Sequence, residues 1–401
     1  MPSLAARVNR SRETAGPAEY VSRVCVVLVV YAAVAAYWPQ HTRKVVSAVV
    51  FVLMASIVRY FLQDTMKRVS RIASPERQSL VDTVAGLRAY GPEARRANTR
   101  RRTLFGTMGL RHQRLARSIG YGSRLDEVDG ALRRNADVAG RVAAAAERRH
   151  HVAPGELANA AAVRHLRVVE LLKHFVRDWS ADGKVERDIT FPPILDALTA
   201  EFPDPAGRRV LVPGAGVGRL AYEICHRGFD TVANEYSHLM LLGTEFVLHS
   251  AKDAHTIYPY VHTFSYQAAA DDQLRPVTFP DVAPEPEGRL RVVYGDFAEI
   301  ADEYDAVVTL FFIDTAANMI QYIEAIHRLL RPGGLWINFG PLKYGSAPKV
   351  EFTLEEVLAI VPKLGFDLEK RWSAQAEYTP DSEKLWHGFY GLEGWTARRT
   401  T

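Results

Sequence analysis

One stretch constrains this chain more than any other: Val212-Pro213-Gly214-Ala215-Gly216-Val217-Gly218-Arg219-Leu220. The apolar run Arg209 to Pro213 reads as a short strand feeding a loop with glycine at every second position, and Arg219 to Arg227 reads as the helix that follows. Glycine tolerates positive φ and lets a ligand approach the backbone closely. The helix start adds partial positive charge. Taken alone, GxGxG is a weak signal, because dinucleotide folds use the related GxGxxG.

The surroundings repeat the same alternation. Thr231 to Glu235 reads as a second strand and Leu290 to Tyr294 as a third. Tyr304 to Asp314 reads as a long apolar strand, Met319 to Leu330 as a helix, and Leu335 to Gly340 as another strand. Strands alternating with helices predict an α/β, Rossmann-like parallel sheet covered by helices. Residues 76–182 read as helical, with apolar residues at three- and four-residue spacing in Leu166, Val169, Leu172, Phe175, Val176 and Trp179. Tyr90-Gly91-Pro92 and Tyr121-Gly122 punctuate that region. Thr263 to Gly288, rich in proline and acids, reads as a surface insertion.

Ahead of this lies a different kind of sequence. The runs Val24 to Pro39 and Val45 to Val58 carry no charge and are edged by Tyr37-Trp38 and Tyr60-Phe61. Each is slightly shorter than the roughly 20 residues of a membrane-spanning helix, and the aromatic edges resemble interfacial anchors. The expected organisation is a disordered basic tail at 1–23 and a transmembrane helix or hairpin at 24–62, with a buried helical extension or a cleaved targeting segment as the competing readings of that stretch. A helical part at 63–182 and a Rossmann-like core at 183–401 follow. Residues 1–150 hold 26 Lys/Arg against 11 Asp/Glu, whereas the remainder holds 24 against 35. The runs Arg100-Arg101-Arg102 and Arg148-Arg149-His150-His151 are read as solvated helix faces, since no aromatic-interleaved platform accompanies them, and no nucleic-acid partner is expected. Two cysteines, Cys25 and Cys225, exclude a disulfide scaffold, and no CxxC or Cys/His cluster suggests a metal. The expected location is membrane-associated with a cytosolic catalytic part. A homodimer is one option for its assembly.

Three further elements accompany the glycine loop (Gly214, Gly216, Gly218). Glu235 ends the second strand, where a carboxylate can accept hydrogen bonds from both hydroxyls of a ribose. Gly295-Asp296-Phe297 follows the third strand: Asp296 can accept from an adenine amino group, and Phe297 can stack on the ring. Arg331-Pro332-Gly333-Gly334 reads as a turn between helix and strand. In this order the four resemble the class I S-adenosylmethionine-dependent methyltransferases. A nicotinamide-dependent oxidoreductase is the rival reading, although no hydride-transfer site accompanies the loop. A membrane-tethered protein that binds the cofactor without turnover is the second rival.

Longer strings narrow the resemblance. Phe175-Val176-Arg177-Asp178-Trp179-Ser180 precedes Gly183-Lys184, Glu186-Arg187-Asp188 and Pro193-Ile194. Then come Val212 to Ile224, Asn234-Glu235-Tyr236-Ser237, Gly295-Asp296-Phe297, Phe311 to Asn318 and Gly340-Pro341-Leu342. From about Glu76 to the C-terminus this set resembles the carnosine N-methyltransferase (N2227-like) family. The resemblance implies S-adenosyl-L-methionine as cofactor and an imidazole nitrogen as acceptor, in a small histidine-containing peptide or a protein histidine. It implies that Arg177 meets the methionine carboxylate, with His174 standing where the family usually has Gln. Gly214, Glu235, Asp296 and Phe297 match cofactor contacts, and Asp314 and Tyr390 match substrate contacts. Asp314 would hold the distal imidazole N–H and stabilise the imidazolium as the methyl arrives. At one position the pattern is broken: Gly345 stands where the family has a substrate-contacting histidine.

Overall fold

The computed structural model describes residues 39, 59, 74–161, 165–285, 288–345, 347–378 and 383–400. The tail at 1–23 and the anchor expected at 24–62 therefore lie outside the described residues, apart from Pro39 and Arg59. Among the described residues no helix is long and apolar enough to cross a membrane. Pro75–Thr401 forms one compact unit.

Its front half comprises α1 (Pro75–Gly106), α2 (Leu110–Ser118), α3 (Tyr121–His150), α4 (Pro154–Leu157), α5 (His165–Trp179) and α6 (Lys184–Glu201). The α/β part begins with β1 (Arg209–Pro213), α7 (Arg219–His226), β2 (Asp230–Glu235), α8 (His238–Val247), β3 (His255–Ile257), α9 (Ala270–Gln273) and β4 (Val277–Phe279). It continues through β5 (Leu290–Tyr294), β6 (Tyr304–Leu310), α10 (Met319–Leu329), β7 (Leu330–Gly340), α11 (Leu354–Lys363), β8 (Phe366–Glu377) and β9 (Phe389–Arg399).

The main sheet has the order β5-β2-β1-β6-β7-β9-β8. The first five are parallel, and β9 runs antiparallel to β7 and β8. Strand β6 is buried at every position but its last, which is why its sequence is a continuous apolar run rather than an alternation. Side chains of period two feed opposite faces. Leu211, Val307 and Trp336 pack with Ile326 and Val357 of α10 and α11, while Val210, Val308 and Ile337 pack with Ile194 and Ile224 of α6 and α7. A further core joins α1, α3, α5 and α8 through Val84, Leu87, Val128, Val142, Phe175 and Leu242. The chain steps outward from β1 through β2 to β5, then returns to lay β6 on the other side of β1. Loops leaving β1 and β6 consequently diverge and open a crevice at the carboxyl ends.

Four local expectations differ from the structure. Tyr90-Gly91-Pro92 does not break α1, which runs through it. A Cβ on Gly91 would lie 2.9 Å from the Ala136 methyl, so that glycine serves the close approach of α1 to α3. Strand β6 stops at Leu310 instead of reaching Asp314, because Phe311 takes φ +52° and turns the chain into a short 3-10 helix, Ile313–Thr315. Pro332-Gly333-Gly334 lies inside β7, as a bulge between the Tyr304/Leu330 and Ala306/Leu335 pairings. Leu166 is exposed, whereas the other five apolar residues singled out in α5 are buried.

The stretch Thr263 to Gly288 is more than a surface insertion. Its strand β4 pairs antiparallel with β3. Phe279 is fully buried and stacks on Phe175 with ring centres 4.5 Å apart. Asp281 is bonded to Arg187 at 2.5 Å and to Arg219 at 2.6 Å, and both guanidinium groups are buried.

Candidate active site

The end of α5 is clamped onto the glycine loop. The Trp179 indole N–H donates to the Val217 carbonyl at 2.8 Å, and Arg219 donates to the Asp178 carbonyl at 2.9 Å. Arg187 donates to the Arg177 carbonyl at 2.7 Å. Gly183 has no room for a side chain, since a Cβ would stand 2.1 Å from that same Arg177 carbonyl oxygen. These contacts give the Arg177-Asp178-Trp179-Ser180 string and its Gly183 and Arg187 companions a physical reason. They place one helix terminus against one loop and set His174 and Arg177 of α5 at the crevice.

The crevice is a cleft of about 420 Å³ at the carboxyl ends of β1, β2, β5 and β6, a size within the roughly 300–1,000 Å³ of small-molecule pockets. His174 and Arg177 line it from α5, Gly214 and Gly216 from the loop, and Glu235, Asp296 and Phe297 from the strand ends. Gly214 (φ +62°) leaves space that a side chain would take from the Phe312 ring, 2.4 Å from its Cβ position. Gly218 does not line the cleft. Its Cβ would meet the Thr244 methyl at 2.7 Å, so this glycine packs the start of α7 on α8.

Arg177 binds Asp178 through Nε at 2.6 Å and lies 4.9 Å from the Tyr378 ring centre. Burial works against its charge, but Asp178, Tyr378 and Glu186 outweigh that and raise its pKa, so it stays a cation. His174, one turn earlier, is different. Burial, reinforced by the charge of Arg177, pushes its pKa down to about 3, so the imidazole is neutral at working pH. Its Nδ1 is buried with no hydrogen-bond partner. The ring lines the cleft beside a fixed guanidinium, while the orphaned nitrogen itself is turned away from open space.

Glu235 accepts from the Gly216 N–H through Oε2 and from the Ser237 N–H through Oε1, both at 2.8 Å. Burial raises its pKa, and those backbone donors oppose the rise. The carboxylate is thereby aimed while keeping acceptor capacity toward the cleft. Asp296 caps the following 3-10 turn by accepting from the Ala298 N–H at 2.9 Å. Phe297 is buried edge-on against Phe312 and Tyr322, at 5.2 and 4.8 Å between ring centres. It lines the cleft as part of an aromatic cluster rather than as a free-standing platform.

A second cavity of about 470 Å³ adjoins the first, and Phe311, Thr315 and Tyr378 line both. Asp314 and Tyr390 belong to it. Asp314 is only 5% exposed and accepts from the Lys343 N–H at 2.9 Å. Burial raises its pKa, and the Lys343 N–H opposes this. The Lys343 ammonium donates to the Tyr390 hydroxyl at 2.9 Å. Among the described residues beyond its chain neighbours, nothing lies within 4 Å of a Cβ position on Gly345.

Sequence reasoning missed Tyr378, which stands against Arg177, Phe311 and His174 at the junction of the two cavities. No motif marks it. It arrives on the extension of β8, two hundred residues from Arg177, and only strand pairing brings it there. Phe312 and Tyr322 were hidden inside an apolar strand and an amphipathic helix, where aromatic residues look like core.

The first cleft thus offers a cation and a neutral imidazole ring at one end, a carboxylate at a strand end, and an aromatic wall. That set fits a ligand with an amino-acid end, a ribose and a flat base. The second cavity has a buried acid at its base. The model of the carnosine N-methyltransferase family matches residues 154–401. The carnosine N-methyltransferase of Rattus norvegicus is 42% identical over 237 residues, covering 55% of this chain and 59% of the relative. That of Schizosaccharomyces pombe is 36% identical over 262 residues, covering 58% of this chain and 70% of the relative. That of Drosophila melanogaster is 34% identical over 264 residues, covering 61% and 58%. The chain spans about 59% of the length of the rat relative it matches. With its α/β part and its site-bearing helices inside the matched region, the chain belongs to the carnosine N-methyltransferase family.

Proposed function

We propose that this chain moves the methyl group of S-adenosyl-L-methionine onto an imidazole nitrogen of a carnosine-like acceptor, either a histidine-containing dipeptide or a protein histidine. The observation that carries this reading is the pair of adjoining cavities, one with the cofactor-type donor set and the other with Asp314 at its base. The cofactor, when bound, supplies an electrophilic methyl on a sulfonium. In this reading Arg177 pairs with its carboxylate, the His174 ring borders the same end, and Glu235 accepts from the ribose. Asp296 accepts from the base. Asp314 accepts the N–H of the distal imidazole nitrogen, which leaves a lone pair on the other nitrogen, and it stabilises the imidazolium that forms. Tyr390 bounds the acceptor. Incubation with cofactor and a panel of imidazole dipeptides and histidine peptides, followed by mass spectrometry, tests the reading. A product one methyl heavier is expected, and a panel with no methylated member counts against it.

Glu235→Ala is expected to weaken cofactor binding by about 1–3 kcal/mol, the scale of hydrogen bonds lost from a charged group. Calorimetry with the folded variant checks this, and unchanged affinity removes Glu235 from the site. The same instrument separates the oxidoreductase rival, which requires NAD(P) to bind in preference. On the sequence alone, we also propose that residues 24–62 tether the protein to a membrane. If so, the full chain sediments with membranes and a chain starting at Glu76 does not. A full chain that stays in the supernatant contradicts the tether.

A further inference from the structure

We propose a carboxylate-binding subsite at the rim of the acceptor cavity, made by Lys343 and Tyr390, that selects imidazole acceptors carrying a free terminal carboxylate. This rests on the imidazole-methylation reading above and deepens it. Among the described residues lining that cavity, the charged ones are Asp314 and Lys343. Asp314 is buried and Lys343 is exposed. Both are fixed to one point of backbone, because the Lys343 N–H is bonded to the Asp314 carboxylate at 2.9 Å. The cavity is therefore bipolar, with an acid at its base and a cation at its mouth.

The cation is held in place. Its Nζ donates to the Tyr390 hydroxyl at 2.9 Å and lies 5.4 Å from that ring's centre. A lysine has three N–H donors, so the bond to Tyr390 leaves donors for a ligand. Tethering to a ring that also lines the cavity removes much of the rotamer freedom that an exposed lysine otherwise loses on binding.

An acceptor histidine with a free carboxylate has the complementary polarity, a ring N–H at one end and an anion at the other. Set with its N–H on Asp314, it presents the anion toward the mouth, where Lys343 stands. A histidine inside a polypeptide offers a neutral amide at that position and forfeits the charge-assisted bond. The subsite therefore favours a small peptide ending in histidine over an internal protein histidine.

The test measures binding, so it does not depend on turnover. Calorimetry is run on the full chain with S-adenosylhomocysteine present, using carnosine and its C-terminal amide against wild type, Lys343→Met and Lys343→Arg. Wild type is expected to bind the acid at least about tenfold tighter than the amide, the lower end for a hydrogen bond to a charged group. Lys343→Met should lose that preference while its affinity for the amide stays near wild type, and Lys343→Arg should keep much of the preference. Equal wild-type affinity for acid and amide, or a preference that survives in Lys343→Met, overturns the subsite and leaves the imidazole reading standing. Failure of both ligands to bind a protein that still binds S-adenosylhomocysteine overturns the subsite and, with it, the dipeptide as acceptor.

Discussion

Asp314→Asn is expected to lower turnover by about 10²–10³, the scale of losing one preorganised electrostatic partner of the transition state, with cofactor affinity nearly unchanged. The amide retains the shape and can still accept from the Lys343 N–H that Asp314 now binds, so the 3-10 turn is kept. What it loses is the negative charge facing the imidazolium, and its NH₂ can select the wrong ring tautomer. Charge develops as the methyl transfers, so the loss falls on turnover rather than on binding. A pH profile adds a second signature. Burial raises the Asp314 pKa, and only the ionised carboxylate carries the charge that stabilises the imidazolium. Wild-type turnover therefore carries an acid limb from Asp314, raised above its ordinary value, in addition to the limb of the acceptor imidazole at about 6.5, and only the imidazole limb remains in the Asn variant. Near-normal turnover in the variant reduces Asp314 to a structural turn residue.

Asp281→Ala is expected to destabilise the fold by about 3–5 kcal/mol, the cost of leaving buried charge unpaired. Asp281 holds two buried guanidinium groups at once, Arg187 and Arg219. Arg219 is the first residue of α7 after the glycine loop, and it also donates to the Asp178 carbonyl. Arg187 supports the Arg177 carbonyl. Removing the shared carboxylate leaves buried Arg187 without its ion pair, beside an Arg219 that keeps Glu223, and loosens the clamp between α5 and the loop. Cofactor affinity should fall along with stability. Urea unfolding monitored by tryptophan fluorescence reads the first effect, and Trp179 reports from inside the clamp. A loss below about 1 kcal/mol, the range of an exposed ion pair, means that the two arginines find other partners and the clamp does not depend on Asp281.

The parts of this fold that could be read from the sequence are those written in local spacing. The strand, glycine loop and helix from Arg209 to His226 form a unit because φ > 0 at Gly214, Gly216 and Gly218 is needed within five residues. Glu235 falls at the end of the next strand for the same local reason. What spacing does not carry is long-range pairing. Tyr378 reaches the site only because β8 pairs with β9 and β9 with β7. The β3–β4 hairpin stayed hidden because its strands are three residues each and its surroundings are proline-rich and acidic. Gly218 shows the opposite limit. A motif glycine looks like a ligand contact, but the side chain it makes room for is that of Thr244. The extent of β6 was overestimated because Phe311 to Ile313 are as apolar as the strand before them, and hydropathy does not register the positive φ at Phe311.

The most direct test of the account uses S-adenosylmethionine carrying a carbon-13 methyl group, the full chain and carnosine, followed by NMR of the product. One labelled methyl bonded to an imidazole nitrogen is expected, with the ring protons beside it shifted and the rest of the dipeptide unchanged. A label found on the terminal amine or the carboxylate, or retained on the cofactor while calorimetry shows both ligands bound, contradicts it.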